Sequence, residues 1–303
     1  MNNKKLDWFL VHSIENKSMS KTILSLEHPR SFHMVGDWFR VTQYIPGYNR
    51  IMNNDTSPFL MLDYNAPWSI PPQSNGYRPG VWFHPHRGFE TVTIVYSWEI
   101  EHEDTAGNGW VIWIDEVQWM TAGSGLLHNE FMTESFANKW WIQHAVQLWI
   151  NLPKKFKMTP PRYQSLRKID IPEVVFSGGK VRIIAGEYKH IKGIAETFSD
   201  LSLFDIRFQE HDTLSFDVSE ENTAMFLITE WTARILWKEC SNGDMITLSK
   251  TGTHIHIEAE NAKILFMGGR PLNEPIVQHG PFVMNTEEEI KQAFDDFHTG
   301  KMG

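Results

Sequence analysis

From Phe39 onward the chain is written in short runs of β-branched and aromatic residues separated by turn residues. Phe39–Tyr44, Phe59–Leu62, Thr91–Tyr96, Val146–Asn151, Val181–Ala185, Met225–Thr229, His254–Ala259 and Lys263–Met267 are examples, many of them bounded by Gly, Asn, Asp or Pro. Such runs read as strands. No helical pattern alternates with them, so a parallel sheet built from βαβ units is excluded and a sandwich or barrel remains. An amphipathic helix is predicted only at the end. There Asn285 or Thr286 can cap Glu287–Glu289, and Ile290, Ala293, Phe294 and Phe297 follow at helical spacing. The fold class is mainly β.

Length divides this pattern in two. At about 150 residues per domain, 303 residues suit two domains, and Pro153, Pro160, Pro161 and Pro172 interrupt the strand rhythm between similar halves. We expect a possible N-terminal extension over residues 1–18, a first barrel over 19–152 and a linker over 153–172. A second barrel over 173–284 and a helix with its tail over 285–303 complete the division. No sequence repeat is visible between the halves. No apolar run approaches the roughly 18 residues of a membrane span. The charge, 28 Lys+Arg against 37 Asp+Glu for a net −9, argues against direct nucleic-acid binding, which needs a basic face. Lys154, Lys155, Lys157 and Arg162 read as a solvated loop. The single cysteine, Cys240, excludes an internal disulfide and suits a reducing, cytoplasmic compartment.

The densest chemistry lies in His84-Pro85-His86-Arg87-Gly88-Phe89-Glu90 and, further on, His128-Asn129-Glu130. Residues i and i+2 of a strand share a face, so His84 projects with His86, and His128 with Glu130. Two such pairs facing across a barrel bring three imidazoles and a carboxylate to one point. That donor set suits iron, manganese, nickel, copper or zinc and leaves an octahedral ion two open positions. Glu90 has the parity of His84 and His86 and competes with Glu130 for the carboxylate position; spacing does not separate them. His254 and His256 share a face but lack a partner pair and read as surface histidines, and His279 reads as a turn residue. Gly123-Ser124-Gly125 lacks the preceding glycine of a nucleophile elbow.

These blocks resemble the pirin family of the cupin superfamily. So do Ser57-Pro-Phe-Leu-Met-Leu-Asp63, Gln118-Trp-Met-Thr-Ala-Gly-Ser-Gly125, Gln147-Leu-Trp-Ile-Asn-Leu152 and the stretch Glu274–Asn285. The resemblance spans about residues 30 to 290. It implies a bicupin, two tandem cupin β-barrels, with a metal only in the first. It also implies His84, His86, His128 and Glu130 as ligands, iron as the usual metal, and Glu90 as a residue that could orient a ligand imidazole. Bacterial relatives are associated with quercetin 2,3-dioxygenase activity, which implies a flavonol-like aromatic substrate, O₂, Fe(II), and Glu130 as both ligand and catalytic base. Animal members act as metal-dependent transcriptional co-regulators, which implies instead a non-catalytic protein that binds a protein partner. A dioxygenase needs an apolar cavity of roughly 300 Å³ or more at the metal; a regulator does not.

The tryptophans depart from the family. There are 13 Trp against seven Tyr. Trp38, Trp82, Trp98, Trp110, Trp113, Trp140, Trp141, Trp231 and Trp237 stand where a small turn residue is expected, whereas Trp119 and Trp149 match the family. Turn positions with φ > 0 suit glycine and resist tryptophan. The pattern predicts UGA codons at those nine positions in a genetic code that reads UGA as glycine, and a strained hairpin at Trp98.

Overall fold

The computed structural model describes residues 19–29, 31–37, 39–45, 56–73, 76–105 and 107–302. The expected extension over 1–18 and Trp38 lie outside them. Among the described residues, strands account for nearly all regular structure. One short helix (Glu134–Ala137) and one long one (Glu287–His298) are the α-helices. Thr286 caps the long helix in a capping box with Glu289. Neither helix is long and apolar enough to cross a membrane.

The strands form two barrels, each a seven-stranded sheet closed by a four-stranded one. The four-stranded sheet of the first barrel runs in the order Gly80–His86, Leu126–Met132, Ile100–Asp104, Gly109–Ile112; that of the second runs Asp212–Asp217, His254–Ala259, Thr232–Ile235, Lys238–Ser241. The seven-stranded sheets match strand for strand as well, so the two halves share one topology although no repeat shows in the sequence. Their faces pack together through Phe59, Leu62, Val92 and Leu148 of the first barrel against Leu203, Met225, Leu227 and Met267 of the second.

The expected boundaries do not follow the chain so simply, because edge strands are exchanged. Ile23–Glu27, assigned to the first barrel, pairs with Met245–Leu248 of the second. Arg162–Leu166, from the proline-marked linker, pairs with Val117–Thr121 of the first. Each exchange covers an edge that would otherwise expose unpaired backbone. The C-terminal segment also returns. Val277–His279 and Phe282–Met284 form a hairpin, and Val283 N–H donates to the Arg87 carbonyl at 3.0 Å. A Cβ on Gly88 would lie 2.0 Å from the Val283 oxygen; with φ at +86°, glycine is required there on both counts.

One strand is longer than the sequence suggests. Phe59–Ile70 passes through Pro67, since the register with Trp141–Asn151 shifts between Gln143 and Ala145. A bulge leaves the proline nothing to donate to.

Candidate metal centre

His84 and His86 end the strand Gly80–His86, and His128 lies opposite His84 in the register with Leu126–Met132. Both strands place these side chains inside the barrel, where one donor atom from each of the three lies within 4.8 Å of the others. Ring centroids stand 4.2 Å apart for His84 and His128, and 4.8 Å for His86 and His128. His86 and His128 are buried, and His84 is half-buried. Trp149 closes the space behind them, 5.3 Å from the His86 ring.

The protonation of these rings follows from burial. Desolvation, reinforced by the neighbouring His84, holds His86 and His128 well below the usual imidazole range, and burial also lowers His84. The rings are therefore neutral with lone pairs available. His84 donates from Nδ1 to the Trp82 carbonyl at 2.8 Å, which leaves Nε2 to coordinate. Nδ1 of His86 and Nε2 of His128 are buried without a partner. Orphaned imidazole nitrogens are costly, and a borderline divalent cation satisfies both. The residues fit a metal.

The fourth residue is placed differently. Glu130 lies outside the three-histidine cluster, and Gln147 donates to both of its carboxylate oxygens at 3.3 Å. Burial pushes its carboxyl up to about 7 against that bond. Beside it is a small cavity of about 20 Å³ lined by Asp63, Thr93, Val81 and Gln147 among others, room for a water but not for an aromatic ring. None of the three histidines lines it.

Glu90 is corrected by the fold. The positive φ of Gly88 ends one strand, and Phe89–Val95 begins another in the other sheet, so parity does not carry from His86 to Glu90. Glu90 shares its face with Val92 and Ile94, which pack between the barrels. It accepts from Thr121 Oγ1 at 2.7 Å rather than orienting an imidazole.

His102 was missed. It is fully buried, its Nε2 meets Nδ1 of His128 at 2.5 Å, and Tyr163, from the exchanged strand Arg162–Leu166, sets its hydroxyl 2.6 Å from His102 Nδ1. Its strand, Ile100–Asp104, reads Ile-Glu-His-Glu-Asp, too charged to be recognised as a strand entering a barrel. Opposite Glu130 in register, it was findable by period-2 parity once that strand was granted. The other histidines singled out in the sequence lie outside this cluster. His254 and His256 face outward onto Asp217 and Ser215, and His279 packs edge-on against Phe294 at 5.2 Å.

Two topologically matched barrels make this a bicupin, with a candidate metal centre at the imidazole cluster inside the first. The pirin family profile matches residues 38–150, and that of the pirin C-terminal cupin domain matches 203–303. The chain belongs to the pirin family. A Pseudomonas aeruginosa protein named "Putative quercetin 2,3-dioxygenase" is 40% identical over 284 residues, covering 93% of this chain and 98% of that protein. Pirin-1 of Arabidopsis thaliana is 35% identical, covering 73% and 77% respectively. The crystal structure of quercetin 2,3-dioxygenase from Acinetobacter baumannii superposes with a TM-score of 0.87 at 41% identity, covering 93% of this chain and 98% of that one.

Proposed function

We propose that this protein is a mononuclear metal-dependent dioxygenase of the quercetin (flavonol) 2,3-dioxygenase type, with Fe(II) in the first barrel. The observation that carries the reading is the convergence of His84, His86 and His128 with partnerless nitrogens on two of them. His84, His86, His128 and Glu130 would hold the ion, and other first-row divalent metals suit the same donors. When bound, the ion supplies Lewis acidity toward a substrate hydroxyl and the redox chemistry that O₂ requires. His84 is the most exposed of the four, so an aromatic substrate approaches on its side. Glu130 accepts the hydroxyl proton on a carboxylate oxygen, and Gln147 holds that carboxylate in place. Trp149 and Phe89, packed at 4.3 Å, keep water from the far side of the imidazoles. A buried Cys240 without a disulfide supports a cytoplasmic setting.

The test is turnover by protein loaded anaerobically with Fe²⁺. Quercetin and O₂ should be consumed by loaded protein alone, and Glu130→Gln should slow turnover more than it lowers metal content. Full iron occupancy without turnover across a panel of flavonols would overturn the proposal. That result would favour the second reading, a metal-responsive regulator that binds a protein partner through the barrel surface.

A further inference from the structure

The matched topology of the barrels aligns Gly80–His86 with Asp212–Asp217 and Leu126–Met132 with His254–Ala259. Where the first barrel turns histidines inward, the second turns Leu214, Phe216, Ile255 and Ile257 inward. Its mouth has nonetheless stayed open, with a cavity of about 700 Å³. That lies within the roughly 300–1,000 Å³ of small-molecule sites.

The lining has two parts. Phe204, Phe216 and Phe266 form an aromatic floor, with centroids 5.1 Å apart for Phe216 and Phe266 and 5.4 Å for Phe204 and Phe266. Tyr188 stands beside them, buried, with its hydroxyl lacking any hydrogen-bond partner. An unsatisfied buried hydroxyl is costly to keep. The hairpin tip at Lys189 and His190, both with positive φ, forms one lip. At the rim the carboxylates of Glu187, Asp200 and Asp217 outnumber the single lysine, which disfavours an anionic ligand and favours one rich in donors.

We infer that the mouth of the second barrel is a binding site for a small, neutral hydroxylated aromatic molecule. The ring stacks on the phenylalanine floor, a hydroxyl pairs with Tyr188, and donors face the acidic rim. This site is separate from the first barrel and does not depend on a metal there.

The experiment titrates full-length protein with 2-naphthol and, in parallel, naphthalene. One 2-naphthol per chain should bind, and the His84→Ala/His86→Ala double variant should bind it within twofold of wild type. Tyr188→Phe, which keeps the ring and removes only the hydroxyl, should weaken 2-naphthol about fivefold and leave naphthalene unchanged. Ser202→Trp, filling the cavity, should abolish binding of both. The inference is overturned if wild type binds no 2-naphthol up to its solubility. It is equally overturned if binding is lost in the double histidine variant while Tyr188→Phe binds as wild type does.

Discussion

His102 fixes His128 from behind. A ligand imidazole held through its second nitrogen keeps its tautomer and orientation, and such partners are typically worth 10–100-fold in metal affinity. Because His102 touches His128 and not the other two rings of the cluster, His102→Ala should weaken Fe²⁺ or Zn²⁺ binding by about that factor. A chelator competition at neutral pH measures it, and an unchanged affinity would contradict the positioning role. The three clustered histidines were legible because the H-x-H and H-x-E spacings carry strand periodicity openly. Glu90 was misjudged because nothing in local spacing shows that Gly88 breaks the strand. The tryptophans divide. Trp98 is wholly buried, stacked on Trp141 with centroids 5.5 Å apart, and has no positive φ, so the strained hairpin expected there is absent. At the Trp113–Glu116 turn the left-handed residue is Asp115, and beside Trp237 it is Leu236. Only Trp231, with φ +61° and 68% exposed, is a strained tryptophan among the described residues. Trp231→Gly should therefore stabilise by about 1 kcal/mol, whereas Trp98→Gly should cost about 3 kcal/mol or more in lost packing. Thermal melts decide both, and the codons of the gene decide separately whether UGA underlies the set.

At the scale of elements, the strand runs and the terminal helix were readable because β-branched alternation and a capping box are local signals. The exchanged edge strands were not, since partners more than 200 residues apart in one case and about 40 in the other leave no local trace. The same holds for the C-terminal hairpin docking on the first barrel. Lys157, in the segment read as a solvated basic loop, is buried instead. Its ammonium donates to the Gly88 carbonyl at 2.8 Å, Asn151 Oδ1 at 2.7 Å and the Val283 carbonyl at 2.9 Å, using all three donors. Arg87 adds an ion pair to Asp296 at 2.8 Å. Lys157→Met leaves three buried acceptors unsatisfied and should destabilise by about 2 kcal/mol, with faster amide exchange at Phe282–Met284. Exchange confined to other strands would show that this lysine does not anchor the C-terminal segment.

Over the whole molecule, the interface between barrels joins apolar packing to buried charge. Arg182 and Arg207 both bond Asp205, and Arg207 reaches across to Asp115 of the first barrel. Burial would raise Asp115 and Asp205, but these guanidinium contacts outweigh it and hold both below the usual carboxylate range. A depressed folded pKa gives stability that is full above the unfolded value and is lost below about pH 4. Glu90 and Asp63 act in the opposite sense, because burial pushes each up to about 7. A raised acid binds its proton more tightly when folded, so its contribution is present at low pH and falls away as pH rises from about 4 to about 7. The buried neutral histidines oppose this trend, so the test is a difference: in metal-free protein, the melting temperature of Glu90→Gln relative to wild type should rise from pH 5 to pH 8. A difference that stays level or falls over that range would contradict the raised pKa of Glu90.

The central claim is that the first barrel holds one metal on three converged imidazoles. The most direct measurement is the metal content of protein loaded anaerobically with Fe²⁺ and desalted, for wild type beside His84→Ala, His86→Ala, His128→Ala and His254→Ala/His256→Ala. The account predicts one equivalent in wild type and in the His254/His256 double variant, and strong loss in each of the other three. Wild type without stoichiometric metal, or single variants that retain it, would contradict it.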